Sequence, residues 1–145
     1  NMNYSELLSI FLIDLQSIFR KNIVVKGASF QQLIALSIIP DDGIEMSHLA
    51  KKIGIDNSTA TRLVIGLEKK DWSIRKTSLH DKRVIQVFLT DQGEKVQSKL
   101  EKQFEKIGTA IEKEVNPLDR HETIEYVSSL HWILLKIILN NNKIV

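Results

Sequence analysis

Ser58, Thr59, Thr61 and Arg62 set three hydroxyls and one guanidinium at the start of the stretch DNSTATRLVIGLEKKDW, ahead of any large apolar side chain. Leu63, Val64 and Leu67 follow at helical spacing, and Lys69 and Lys70 come near its end. Short hydroxyl side chains let a backbone approach a ligand closely, and the free amides of a helix N-terminus hold phosphates. One arginine can grip two acceptors at once, as on the edge of a guanine. The apolar remainder would anchor the helix to its own domain. A helix whose polar end reads and whose apolar end holds suits the major groove of a DNA duplex. A merely solvated, capped first turn would have the same composition, so the surrounding elements must decide.

Immediately upstream, Met46, Leu49, Ala50 and Ile53 form one helical stripe that Gly54 ends. Asp56 or Asn57 can cap the helix that follows. Two helices joined by a short turn holding a glycine make a helix-turn-helix. After Asp71 the period changes to two. Trp72 and Ile74 alternate with Ser73 and Arg75, while Ile85, Val87 and Leu89 alternate with Gln86 and Phe88. This pattern predicts a two-stranded hairpin with those apolar residues facing inward. Its connection, KTSLHDKR, is longer than a tight turn and ends in positive charge. A basic loop at the tip of two strands would suit a narrow minor groove, whose negative potential attracts arginine.

The flanks read as helix. Leu8, Phe11, Leu15, Ile18 and Phe19 recur at helical steps, and a second helix runs from a Ser29 cap through Leu33 and Leu36, stopping before Pro40. Thr90-Asp91 caps a long helix with the stripe Val96, Leu100, Phe104, Ile107, Ile111 and Val115. Asn116-Pro117 breaks it, and a last helix from about Leu118 carries Ile124, Val127, Leu130, Leu134 and Ile138. From Leu130 to Leu139 that helix is apolar nearly all round, which a surface helix of a monomer should not be. Burial in the core would account for it. With the first helix also apolar, a homodimer interface built from both chain ends is the favoured reading. The expected fold is therefore mainly α with a small β-hairpin wing (α+β). Residues 1–28 would join the dimerisation region, 29–90 would form the winged helix-turn-helix domain, and 91–145 would complete the dimerisation region.

Composition limits the alternatives. At 145 residues the chain fits one domain with a helical extension and can bury about two thirds of its unfolded surface. With no cysteine it has no thiol catalysis, disulfide or thiolate metal site, and it fits a reducing cytoplasm. The run LHWILLKIIL is about half the length a bilayer span needs, and no secretory leader or membrane partner is expected. The net charge of +2 is small, but its distribution is uneven. From Glu45 to Thr90 nine Lys and Arg oppose five acids, leaving the two flanks together mildly acidic. There is no Gly-rich phosphate loop, no G-x-S-x-G and no H-E-x-x-H, so no enzyme is expected.

Taken together, HLAKKIGIDNSTATRLVIGLEKK, then Arg75, then HDKR with its D-x-R pair Asp81 and Arg83, then VFLTDQG resemble the multiple-antibiotic-resistance regulator (MarR) family of winged-helix repressors. The flanking helices fall in the matching order, so the likeness spans nearly the whole chain. The resemblance implies an obligate homodimer that regulates transcription by binding a palindromic operator in double-stranded DNA, in the cytoplasm. It implies that Ser58, Thr59, Thr61 and Arg62 face the major groove and that Arg83 enters the minor groove, braced by Asp81. Arg75, Lys76 and Lys82 would meet phosphates. Three positions depart from the family pattern. Glu45 stands where Ser or Thr usually caps, so a weaker cap is expected. Asp71-Trp72 replaces Gly-Leu after the reading helix, so a strained or reshaped exit is expected.

The family also couples DNA binding to a small aromatic or phenolic effector. Candidate linings are Phe11, Leu15, Phe19, Phe30 and Leu33, with Arg20 or Lys21 as anion partner, although such a stripe equally suits a plain core. No cofactor is implied. Some relatives sense zinc, but His48, His80, His121 and His131 are scattered, and the best pair, His121 with Glu125, has no thiolate beside it, so no metal site is assigned. The competing function is a winged-helix protein-interaction module without sequence-specific DNA binding. The coincidence of the hydroxyls, Arg62 and the Asp81/Arg83 wing argues against it.

Overall fold

A computed structural model describes residues 1–141 and 143–145. Six α-helices and three strands follow in the order α1 (Tyr4–Asn22), α2 (Phe30–Ser37), β1 (Ile44–Glu45), α3 (Met46–Ile53), α4 (Asn57–Lys69), β2 (Ser73–Thr77), β3 (Ile85–Leu89), α5 (Asp91–Glu114) and α6 (Arg120–Leu139). The mainly α fold with a small β wing is as expected. One core unites the middle elements. Leu33 and Leu36 from α2, Leu49 from α3, Val64 and Leu67 from α4, Val87 from β3 and Leu100 from α5 are all sealed from solvent. Gly93, Leu100 and Ile107 draw the first two thirds of α5 into this core, while α6 buries no residue at all.

The helix ends follow from local chemistry. Ser29 accepts from the Gln32 amide while the Gln32 side chain accepts from the Ser29 amide, a reciprocal cap on α2. Thr90 caps α5 through the Gly93 amide at 3.0 Å. Gly54 closes α3 in the left-handed conformation at φ 74°. Glu45 makes no side-chain bond to the first turn of α3, in line with the weaker cap expected there. Glu45→Ser should therefore stabilise the fold by about 1 kcal/mol, read as a rise in the urea midpoint at unchanged slope.

Three expectations need correction. The sheet has three strands, in the order β1-β3-β2, because Ile44 and Glu45 pair with Val87 and Gln86. Two residues are too few to show a period. Second, the inward face of β2 is the opposite of the one expected. Ser73 is 2% exposed and Ile74 is 41% exposed. The antiparallel register sets this phase: Ser73 pairs with Leu89 and Arg75 with Val87, whose side chain is fully buried. Ser73 tolerates burial because its hydroxyl donates to the Val64 carbonyl. Third, the last helix starts at Arg120 rather than Leu118. Pro117–Asp119 first makes one 3-10 turn, with the Asn116 side chain accepting from the Leu118 amide. No helix among the described residues is long and apolar enough to cross a membrane.

Candidate nucleic-acid interface

Helix α4 starts cleanly because Asp56 caps it. Asp56 Oδ1 accepts from the Thr59 amide at 2.7 Å, and that bond holds the carboxyl below the ordinary aspartate range. Ala60, Val64 and Leu67 bury one face of the helix. Ser58 and Arg62 stand exposed on another, one turn apart, with Thr59 and Thr61 half-buried beside them. Two of the hydroxyls are already engaged. Thr61 Oγ1 donates to the Asn57 carbonyl at 2.8 Å, and Arg62 Nη2 donates to Thr59 Oγ1 at 3.2 Å. In this state Ser58 and Arg62 are the groups most open to a ligand, and Arg62 lies along the helix rather than away from it.

The exit from α4 is strained in the way expected. Asp71 takes φ 61°, a left-handed conformation that glycine would adopt more cheaply. Trp72 then packs against the core at the root of the wing. The loop beyond β2 closes through the Ser78 amide on the Val84 carbonyl and the Val84 amide on the Asp81 carbonyl. Inside it, Asp81 Oδ1 accepts from both the Arg83 amide (3.0 Å) and Arg83 Nε (3.1 Å), while Oδ2 accepts from Nη2 (3.1 Å). The guanidinium is thus gripped on one edge, yet its side chain remains 90% exposed. The Arg83 guanidinium and amide hold the Asp81 carboxyl below its usual range, and the carboxylate raises the arginine. Both groups therefore keep their charge at neutral pH. A fixed cation at the tip of a projecting loop can enter a groove too narrow for a helix.

The remaining predicted contacts divide. Lys82 is exposed on the loop. Lys76 stands on the outer face of the sheet with its ammonium 5.2 Å from the centre of the Phe88 ring. Arg75 is on the inner face and is held by Glu68 of α4, with Nε 2.6 Å from Oε1 and Nη2 3.4 Å from Oε2. The sequence reading missed Glu68, because the seven-residue separation spans a helix exit whose geometry no period predicts.

The six residues expected to line an effector site do not converge in this chain. Leu33 belongs to the core, Phe19 packs on Phe104 at 5.8 Å between ring centres, and the Arg20 guanidinium lies 4.5 Å over Phe30. Phe11 and Leu15 stay about half exposed on α1. Instead, the described clefts open between α1 and α5, between α5 and α6, and at the wing root. His121 Nε2 lies 3.2 Å from Glu125 Oε1 with both side chains exposed, and no third ligand joins them among the described residues.

Residues 31–85 match the family model described as MarR family. The chain is 29% identical over 111 residues to the HTH-type transcriptional regulator SarZ of Staphylococcus aureus strain MRSA252, covering 77% of this chain and 72% of that protein. Against SarZ of strain USA300 the identity is 32% over 68 residues, 47% of this chain, so the chain spans about half (46%) of that relative. Among solved structures, a MarR transcriptional regulator from Methanosarcina mazei Go1 superposes with a TM-score of 0.78 at 24% identity, covering 92% of this chain and 96% of the other. Streptococcus pneumoniae FabT, solved in complex with DNA, gives 0.76 at 18% identity with the same coverage.

Proposed function

We infer that this chain, which belongs to the MarR family, is a transcriptional regulator that reads specific double-stranded DNA as a homodimer. The observation that carries the reading is the Asp81–Arg83 fork, a fixed and exposed cation at the tip of the hairpin that comes next in the chain after a helix presenting Ser58 and Arg62. Residues 29–90 are the DNA-binding domain in this scheme. Ser58, Thr59, Thr61 and Arg62 enter the major groove, Arg83 the minor groove, and Lys76 and Lys82 meet phosphates. Entry requires Arg62 to exchange its bond to Thr59 for a base edge, an inexpensive step because the Arg62 side chain is exposed and its bond to Thr59 is long at 3.2 Å.

Residues 1–28 and 91–145 supply the two-fold interface, and the protein works in the cytoplasm, where its operator lies. A small aromatic or phenolic effector releases DNA in this scheme only by preferring the dimer geometry that does not fit the operator, since equal affinity for both shifts nothing. The exposed apolar sides of α1, α5 and α6 are consistent with that interface.

The experiment is selection of bound sequences from a random duplex library at two salt concentrations. The expected outcome is an enriched palindrome whose half-sites lie about one helical turn apart. Weak, salt-sensitive binding with no enrichment would overturn the reading in favour of a protein-interaction module. Once an operator is found, Arg83→Ala should weaken it by on the order of 1–3 kcal/mol without altering the oligomer. Unchanged affinity in a titration would remove Arg83 from the groove.

A further inference from the structure

We propose that Glu68 and Arg75 form a positioning clamp that fixes the angle between the reading helix and the wing, rather than leaving Arg75 to meet a phosphate. The inference rests on the DNA-binding reading above. It departs from what the sequence implied for Arg75, and Glu68 had no role there at all.

The clamp sits where the two reading elements part. Glu68 is in the last turn of α4 and Arg75 is the middle residue of β2. Their contact is a two-bond fork between a planar guanidinium and a planar carboxylate, which fixes direction as well as distance. Both side chains are partly covered, Glu68 at 27% and Arg75 at 37% exposed. The other links across this junction are weaker guides. The Ser73 hydroxyl reaches the Val64 carbonyl at a long 3.4 Å, and the Trp72 amide reaches the Leu67 carbonyl at 3.0 Å just after the left-handed Asp71. Of the ion pairs among the described residues, this alone joins α4 to the sheet.

Beyond Arg75 the wing is a lever. Lys76, Thr77 and the tip residue Leu79 are all exposed. The four residues from Lys76 to Leu79, the first two of them still in β2, carry the tip at most about 13 Å past the clamp, so a swing of about 10° there moves it by about 2 Å. A shift of that size separates a guanidinium in hydrogen-bond contact from one that is not. Helix and wing address adjacent grooves of one duplex, so the offset between them must be set before binding.

Charge arithmetic gives the test an unusual sign. If Arg75 were a phosphate ligand restrained by Glu68, Glu68→Gln would free it and remove a negative charge facing DNA, so binding would tighten. If the pair is a clamp, Glu68→Gln weakens operator binding despite that change. We expect Glu68→Gln and Arg75→Gln each to lower operator affinity about tenfold or more while leaving affinity for random duplex within about threefold. The double variant should lose no more than either single one. The dependence on salt should keep its slope, whereas losing a phosphate contact lowers it by about one. Arg75→Lys, which keeps the charge but not the fork, should behave as Arg75→Gln does. Tighter binding by Glu68→Gln, or a lowered slope in Arg75→Gln, overturns the proposal.

A DNA-free arm separates this inference from the functional reading. The chain has no cysteine, so spin labels go only where they are placed. Labels at Lys52→Cys on α3 and Leu79→Cys on the wing tip, diluted with unlabelled chains, report their separation. Glu68→Gln should broaden that distance distribution at an unchanged melting temperature, since half-covered ion pairs add little stability. An unchanged width overturns the clamp even if the unsubstituted protein selects an operator. A broadened width together with no selected operator overturns the functional reading and leaves the clamp standing.

Discussion

Gly93→Ala is expected to destabilise the protein by about 2–4 kcal/mol, although alanine is the better helix former. Gly93 sits in the first turn of α5 and is buried. A Cβ built there would stand 1.9 Å from the Trp72 carbonyl oxygen and 2.9 Å from its carbon. Neither atom belongs to a flexible side chain, so relief requires moving backbone. That backbone is pinned from several directions. The same Trp72 carbonyl accepts from the Thr90 amide at 3.1 Å, and the Thr90 hydroxyl accepts from the Gly93 amide while donating to the Asp71 carbonyl. Moving α5 outward breaks the cap, and moving Trp72 outward disturbs the left-handed Asp71 and the first residues of β2. The expected gain of about 1 kcal/mol in helix propensity is therefore outweighed. Urea denaturation followed by circular dichroism reads the effect as a lower midpoint. A midpoint equal to or above the parent's would mean that α5 docks on the wing root more loosely than this contact shows. The loss is a large share of the stability of an ordinary domain, so reduced expression should accompany it.

Gly93 also marks a boundary of what the sequence discloses. The order of helices, the glycine end of α3, the Thr90 cap and the hairpin were legible because each leaves a local mark: a period, a capping residue or a breaker. The same holds for the groups most open on α4 and the wing. Ser58, Arg62 and Arg83 were identified by type and spacing, and their exposure needs little long-range information. What escaped depended on register. Ile74 faces out because Arg75 pairs with Val87, a fact set across the hairpin rather than along it. Glu68 meets Arg75 only because α4 ends in one particular left-handed turn. The proposed effector residues failed to converge for a related reason. An aromatic stripe at helical spacing specifies a face, and here Phe19 turns to Phe104 while Phe11 and Leu15 stay about half exposed on α1. Polar residues at a helix start announce themselves, whereas ion pairs and close approaches between elements do not.

Leu134→Asp is expected to abolish the dimer and to carry operator binding away with it. No residue of α6 is buried within one chain. Ile124 is 61% exposed, Trp132 64% and Ile133 57%, and Leu134 lies in the same stretch. On α1, Phe11, Leu12, Ile13 and Leu15 are similarly open. Apolar surface on this scale, carried by two long helices, exceeds what a monomer presents to water. In a two-fold interface every substitution occurs twice, and each copy meets the partner's apolar surface. Placing a carboxylate there costs several kcal/mol per copy unless it finds a partner. Every 1.4 kcal/mol is a tenfold change in dissociation constant, so two copies together should shift dimerisation by several orders of magnitude. Sedimentation at micromolar concentration should give a monomer. DNA affinity should fall steeply because the half-sites are then bound independently, without the effective concentration that linkage provides. Circular dichroism should meanwhile keep the helix signal of α2 to α5, whose core does not include Leu134. A variant that remains dimeric would move the interface away from α6, and a monomer with parent-like operator affinity would show that one winged domain suffices to read the site.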